Sequence, residues 1–186
     1  MSLSNTKNKW EKLGQKDPLW SVLTWDDKQN LRWNQEEFYK TGLIEIDGLM
    51  EQIQKLNIKI KPGSALDFGC GTGRLTFPIA KIFDDTVGVD ISSSMIDYAN
   101  QINNNRANFI INESAHLNIF PDNKFDFILS MLTLQHLEVK YAKQYIKEFV
   151  RILKPGGLMV FQIPDHPIEI ERNLFKRFKY RKSKQG

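Results

Sequence analysis

Two carboxylates and three glycines supply the first chemistry this sequence offers. Within residues 66–74, LDFGCGTGR, glycine recurs at 69, 71 and 73, Asp67 stands two residues ahead of the first, and Arg74 closes the run. Glycines at this density let the chain turn sharply and bring backbone amides close to a ligand. The dinucleotide fingerprint G-x-G-x-x-G fails in either frame, because the position five after Gly69 is Arg74 and the position five after Gly71 is Thr76. The P-loop fails as well, since no Gly-Lys-Ser/Thr follows. An acid two residues before the loop is ill placed for a pyrophosphate and well placed for an ammonium group. A second acid, Asp90, follows Gly71 by 19 residues, near the spacing at which a carboxylate accepts from ribose hydroxyls.

The elements that must position these residues are legible in the hydrophobic pattern. Residues 34–56 carry Phe38, Ile46, Leu49, Met50, Ile53 and Leu56 at helical spacing, with Asn34 as N-cap, Glu36 and Glu37 in the first turn and Gly42 as a candidate break. After Lys61-Pro62-Gly63 the pattern alternates. Strands are expected at 64–68, 86–90, 107–111, 125–130 and 158–163, and helices at 74–83, 92–104 and 138–153. Strands apolar throughout, alternating with helices, specify an α/β doubly wound, Rossmann-like, mostly parallel sheet. Right-handed crossovers give the order 3-2-1-4-5. Ligands of such sheets bind beyond the carboxyl ends of the strands, where the order reverses, and the glycine run lies there.

The remaining composition narrows the class. A hydrophobic fraction of 41% with 26% charged residues belongs to a globular chain of 186 residues, one domain in size. No apolar run is long enough to span a membrane, and MSLSNTKNKW has no apolar signal core, so a cytoplasmic location is expected. One cysteine, Cys70, excludes an internal disulfide and reads as a small packed side chain. The net charge of +4 is unevenly placed: seven of the 26 basic residues fall within 172–184 with no acid among them, leaving 19 basic against 22 acidic elsewhere. His116 and His166 share no metal-ligand spacing with other residues, so no metal is expected. Residues 1–34, with all four tryptophans among charges, read as an irregular N-terminal arm.

An amine and a ribose without a phosphate are the features of S-adenosylmethionine. The chain closely resembles the class I S-adenosylmethionine-dependent methyltransferases over about residues 35–165, through LDFGCGTGRLT, VGVDISSSMI, FPDNKFDFILS, LQHL and RILKPGGLMVFQIP in that family's order. WEKLGQKDPLW and EEFYKTG resemble the arm of a bacterial subgroup. The resemblance implies that Asp67 holds the methionine amino group, that Gly69, Gly71 and Gly73, closed by Arg74, pass under the methionyl portion, and that Asp90 accepts from the ribose. It implies that Ile91 and Met95 pack on the adenine and that Glu113 with Ser114 reads its amino edge. Ser130 and Met131 then face the sulfonium, and Phe38, Tyr39 and Thr41 lie over the cofactor as part of a lid. Several of these positions have a structural alternative: helix capping for Asp67, Asp90 and Glu113, and plain core for Ile91 and Met95.

His136, in LQHL, is the one histidine near the expected reaction site, either as a general base or as a hydrogen-bonded structural residue. The expected reaction is methyl transfer to an oxygen, nitrogen or carbon of a small-molecule acceptor. Two alternatives stand beside it, a non-catalytic cofactor-binding domain and an RNA methyltransferase using the basic tail of residues 166–186; SMLT stands where an N-P-P-Y-type tetrapeptide would follow strand four. Strands six and seven of the family are missing from the pattern after Ile163. Residues 168–180 are expected to pack near the edge of strand five or to mediate a homodimer.

Overall fold

The computed structural model describes residues 2–163. The basic tail, the expected helix at 168–180 and the end of the sheet that strands six and seven would complete lie outside the described residues. Eleven principal elements are present among those described. They run α1 (Leu3–Lys16), α2 (Pro18–Val22), α3 (Gln35–Lys55), β1 (Ser64–Phe68), α4 (Thr76–Ile79), β2 (Asp85–Asp90), α5 (Ser93–Ile102), β3 (Asn108–Ile111), β4 (Phe125–Ser130), α6 (Val139–Ile152) and β5 (Leu153–Phe161). The five strands form one sheet in the order β3-β2-β1-β4-β5, every pair parallel. That is the expected order.

β1 and β4 are buried along their whole length because helices cover both faces. On one face Leu66, Phe68, Val87, Val89 and Ile128 pack with Tyr145, Phe149 and Ile152 of α6. On the other, Ala65, Phe127 and Leu129 meet Ile46 and Ile53 of α3 and Ile79 of α4. β1 therefore sends Leu66 and Phe68 one way and Ala65 the other, the period of two that a strand imposes. Asn34 caps α3, accepting from the Glu37 amide at 3.0 Å, and Ser92 caps α5, accepting from the Met95 amide at 3.4 Å.

Four local expectations need correction. Residues 1–34 are not irregular: α1 and α2 fill most of the first 22 positions. Ser2 caps α1, and Asp17 caps α2 ahead of Pro18. The docking stripe of α1 is Lys7, Trp10, Glu11 and Gly14, at helical spacing but mostly polar, so no apolar period betrays it. Gly42 is no break; α3 runs through it, and its missing side chain admits the backbone of Arg74, whose carbonyl carbon would lie 2.9 Å from a β-carbon there.

The helix expected over 74–83 contracts to Thr76–Ile79. Pro78 has no N–H to return to the Arg74 carbonyl, and the exit is wound in tight turns, Lys81 N to Pro78 O at 3.2 Å and Ile82 N to Ile79 O at 2.9 Å. β5 begins at Leu153 rather than 158, because a register shift between Phe125 and Phe127 lets Lys154-Pro155-Gly156-Gly157 ride in the strand as a bulge, with Gly156 at φ +78°.

Candidate functional site

The carboxyl ends of β1, β2 and β4 converge on the glycine run. Gly69, Gly71 and Gly73 adopt φ of +77°, +53° and +82°, a region that side chains rarely enter. The turn hangs from the neighbouring strand: the amides of Gly69 and Cys70 donate to the Val89 carbonyl at 2.7 and 3.0 Å. Two side chains close over it. A β-carbon on Gly69 would meet Thr133, from the segment after β4, and one on Gly71 would lie 2.7 Å from Val22 of α2. The Tyr39 hydroxyl, on α3, donates to the Thr72 carbonyl at 2.8 Å, and its ring packs edge-on against Phe77.

Asp67 and Asp90 flank this turn and differ in their partners. Asp67 is buried and accepts from the Thr76 hydroxyl at 2.6 Å. Burial pushes its carboxyl up to about 6, against that hydrogen bond and the nearby Arg74 charge. Asp90 accepts from the Gly71 amide through Oδ2 and from the Ser92 amide through Oδ1, both at 2.9 Å. Burial raises it too, opposed by those amides. Each carboxylate oxygen keeps a further lone pair for a ligand. Arg74 is buried and bonds Glu45 at 2.8 Å and the Thr41 hydroxyl at 3.3 Å. Its Nε and the Thr72 hydroxyl are buried without a partner among the described residues, unusual for buried polar atoms.

The N-terminal helices roof the site. Glu11 of α1 caps α5 from outside, accepting from the Ser92 hydroxyl at 2.9 Å and from the Ser94 amide at 3.2 Å. Burial opposes its charge, yet these bonds hold its carboxyl below the ordinary range. Gly14 lies against Ser94 and Met95. Trp10 meets the His136 ring edge-on at 5.1 Å between centroids. His136 ends a 3-10 turn, Leu134–His136, after β4; burial and, second, the charge of Lys9 push its imidazole down to about 4.

Of the residues singled out in the sequence, Asp67, Gly69, Gly71, Gly73, Arg74, Asp90, Ser130 and Met131 surround the carboxyl ends of β1, β2 and β4. Tyr39 and Thr41 reach that cluster through Thr72 and Arg74. Ser130 is fully buried and donates to the Phe68 carbonyl at 3.1 Å, and Met131 packs beside the Ile46 cluster. Ile91 follows Asp90 half-buried, while Met95 is buried under α1. Phe38 packs into the Leu19 and Trp33 cluster of the arm. Glu113 is 53% exposed and pairs with Lys7 at 2.7 Å. The Ser114 carbonyl is taken by the Tyr145 hydroxyl at 2.6 Å.

Sequence reasoning missed Thr76, Thr133, Val22 and Glu11. Thr76 alone had a signal, its place inside LDFGCGTGRLT; the others come from distant segments. No group of three His, Cys, Asp or Glu suited to a metal occurs among the described residues.

The chain matches the family described as Methyltransferase domain over residues 66–161. It is 36% identical over 129 residues to Phosphoethanolamine N-methyltransferase 1 of Arabidopsis thaliana, covering 66% of this chain and 26% of the plant protein. The match therefore spans about a quarter of that relative's length. Among solved structures it is similar to an S-adenosylmethionine-dependent methyltransferase from Clostridium acetobutylicum, with a TM-score of 0.56 and 28% identity over 66% of this chain and 49% of the other. It is also similar to Haemonchus contortus Phosphoethanolamine N-methyltransferase 1, solved with phosphoethanolamine and S-adenosylhomocysteine. There the TM-score is 0.67 over 86% of this chain and 31% of the other, and the 15% identity makes it a likeness of fold.

Proposed function

The chain belongs to the class I S-adenosylmethionine-dependent methyltransferases, and from that membership we propose that it moves a methyl group to an oxygen, nitrogen or carbon atom of a small-molecule acceptor. One observation carries the reading: two acids, the buried Asp67 and the half-buried Asp90, flank a left-handed glycine turn at the reversal point of the sheet. That donor set suits a ligand with an ammonium group and ribose hydroxyls. The glycine cradle, which β-carbons would fill, and the orphaned Thr72 hydroxyl and Arg74 Nε fit the same ligand.

Bound S-adenosylmethionine supplies a methyl carbon made electrophilic by its sulfonium. In this reading Asp67 accepts from the amino group, Asp90 from the ribose, and the backbone of Gly69, Gly71 and Gly73 lies along the methionyl portion. Arg74, Thr41, Tyr39 and Phe38 set the α3 wall, Ile91 and Met95 offer apolar surface to the adenine, and Glu113 with Ser114 serves its edge once Lys7 yields. Ser130, Met131 and Thr133 line the reaction side, where exclusion of water avoids over-stabilising a charge that disappears during transfer. With its imidazole pushed down to about 4 by burial and the Lys9 charge, His136 meets the acceptor as a neutral hydrogen-bonding ring rather than as a stored proton.

Calorimetry tests the proposal. S-adenosylmethionine and S-adenosylhomocysteine should bind, NAD and ATP should not, and Asp90→Ala should weaken binding by about 1–3 kcal/mol. Undiminished affinity in that variant removes the ribose assignment.

A further inference from the structure

On the roof, Lys9 is a half-buried cation that pairs with no acid among the described residues, while Lys12 and Lys16 of the same helix are exposed to solvent. Lys7, Lys28, Lys124, Lys140 and Lys154 each pair with a carboxylate. Among the described residues Lys9 has only the Trp10 ring, 5.2 Å from its Nζ to the centroid. Its charge is felt at His136, whose ring Trp10 covers. Burying a charge without a partner is costly, so a counter-ion belongs beside it. The neighbours add donors rather than acceptors. The Trp10 indole N–H has no acceptor among the described residues, and because the Gln135 amide donates to His136 Nε2 at 3.4 Å, the neutral imidazole keeps its N–H donor on Nδ1.

This donor group stands close to the reaction side. His136 donates its amide to the Thr133 carbonyl at 3.0 Å, and the Thr133 side chain lies over Gly69. Asp90 and Glu11 sit on the other side of the glycine turn, by the amino end of α5, and Asp67 lies beside Thr76 of α4. Charge is thus sorted across the site, with carboxylates where a cationic cofactor is expected and an unpaired ammonium beside the segment that follows β4. Resting on the methyltransferase reading, we propose that Lys9, Trp10 and His136 form one end of the acceptor site and that the acceptor carries an acidic group, a carboxylate or a phosphate. A protonated amine at that end would face Lys9 with like charge, whereas an anion gains a charge-assisted hydrogen bond in a half-dry setting.

The test follows the His136 imidazole by NMR while full-length protein is titrated with inorganic phosphate, benzoate and benzylamine, with and without saturating S-adenosylhomocysteine. Phosphate or benzoate should shift the His136 resonances saturably in both states, and benzylamine should not. Whichever anion responds more strongly identifies the acid class. Lys9→Gln should weaken the response at least tenfold, and Lys9→Arg should retain it. A lack of saturable response to either anion, or an equal response in Lys9→Gln, overturns the proposal. An anion response abolished by S-adenosylhomocysteine would assign the donors to the cofactor's own carboxylate and overturn it as well. Binding of S-adenosylhomocysteine, followed in the same samples, tests the methyltransferase reading independently.

Discussion

At the scale of single residues, the informative position is Asp67. Its carboxyl is buried, holds one hydroxyl donor, and is pushed up to about 6 chiefly by desolvation. A carboxyl whose folded value exceeds its unfolded value favours the folded state when protonated, so this contribution is whole below pH 4 and is lost as pH rises through 6. Asp67→Asn should therefore flatten the stability profile, leaving the variant no less stable than the parent at pH 8 and relatively less favoured at pH 5, as urea denaturation at the two pH values would show. The same substitution removes the charge that an ammonium ligand needs. Cofactor affinity in the parent should rise between pH 5 and 7 and be weak and flat in the variant. A parallel rise in both proteins would mean that another group controls binding.

At the scale of elements, α3 holds two glycines, Gly42 and Gly48, under opposite constraints. Alanine is the better helix former by about 1 kcal/mol. At Gly48 nothing lies within 4 Å of the new β-carbon, so Gly48→Ala should stabilise the protein by roughly 0.5–1 kcal/mol. At Gly42 the β-carbon runs into the backbone carbonyl of Arg74, which cannot swing aside as a side chain does. Gly42→Ala should destabilise by about 1–3 kcal/mol, the range of overpacking. It should also weaken cofactor binding, because the displaced segment is the end of the glycine turn. Urea midpoints of the two variants, with calorimetry, check both signs; equal midpoints would deny the close approach of α3 and the turn.

At the scale of the whole molecule, the arm is joined to the rest by the Leu19, Trp33 and Phe38 cluster and, at α1, by a few polar contacts. Glu11 supplies a carboxylate to the amino end of α5, where a helix welcomes negative charge. Gly14 allows α1 to sit close to that helix. Glu11→Ala should cost about 1–2 kcal/mol and, more tellingly, should raise amide exchange across residues 3–22 while β1, β2 and β4 keep their protection. Uniform loss of protection would mean that the arm and the sheet unfold as one unit. Since Trp10, Val22 and Lys7 roof the site from this same segment, the variant should also change the rates of cofactor entry and release.

The sequence by itself determined the sheet order, the edges of β1 and β4, the cap at Asn34, and the glycine turn between Asp67 and Asp90. These are local or periodic properties: buried strands are continuously apolar, caps need an oxygen at one position, and left-handed turns favour glycine. Tertiary structure alone decided the rest. α1 docks through Lys7, Trp10, Glu11 and Gly14, a face made for a polar helix end and a neighbouring backbone rather than for a hydrophobic core, so it leaves no apolar period. α4 shrinks because Pro78 cannot reach back to the Arg74 carbonyl, and β5 lengthens because a bulge absorbs its glycines. Lys9, Thr133, Val22 and Glu11 come to the site from segments far apart in the chain, and proximity between such residues is a property of packing.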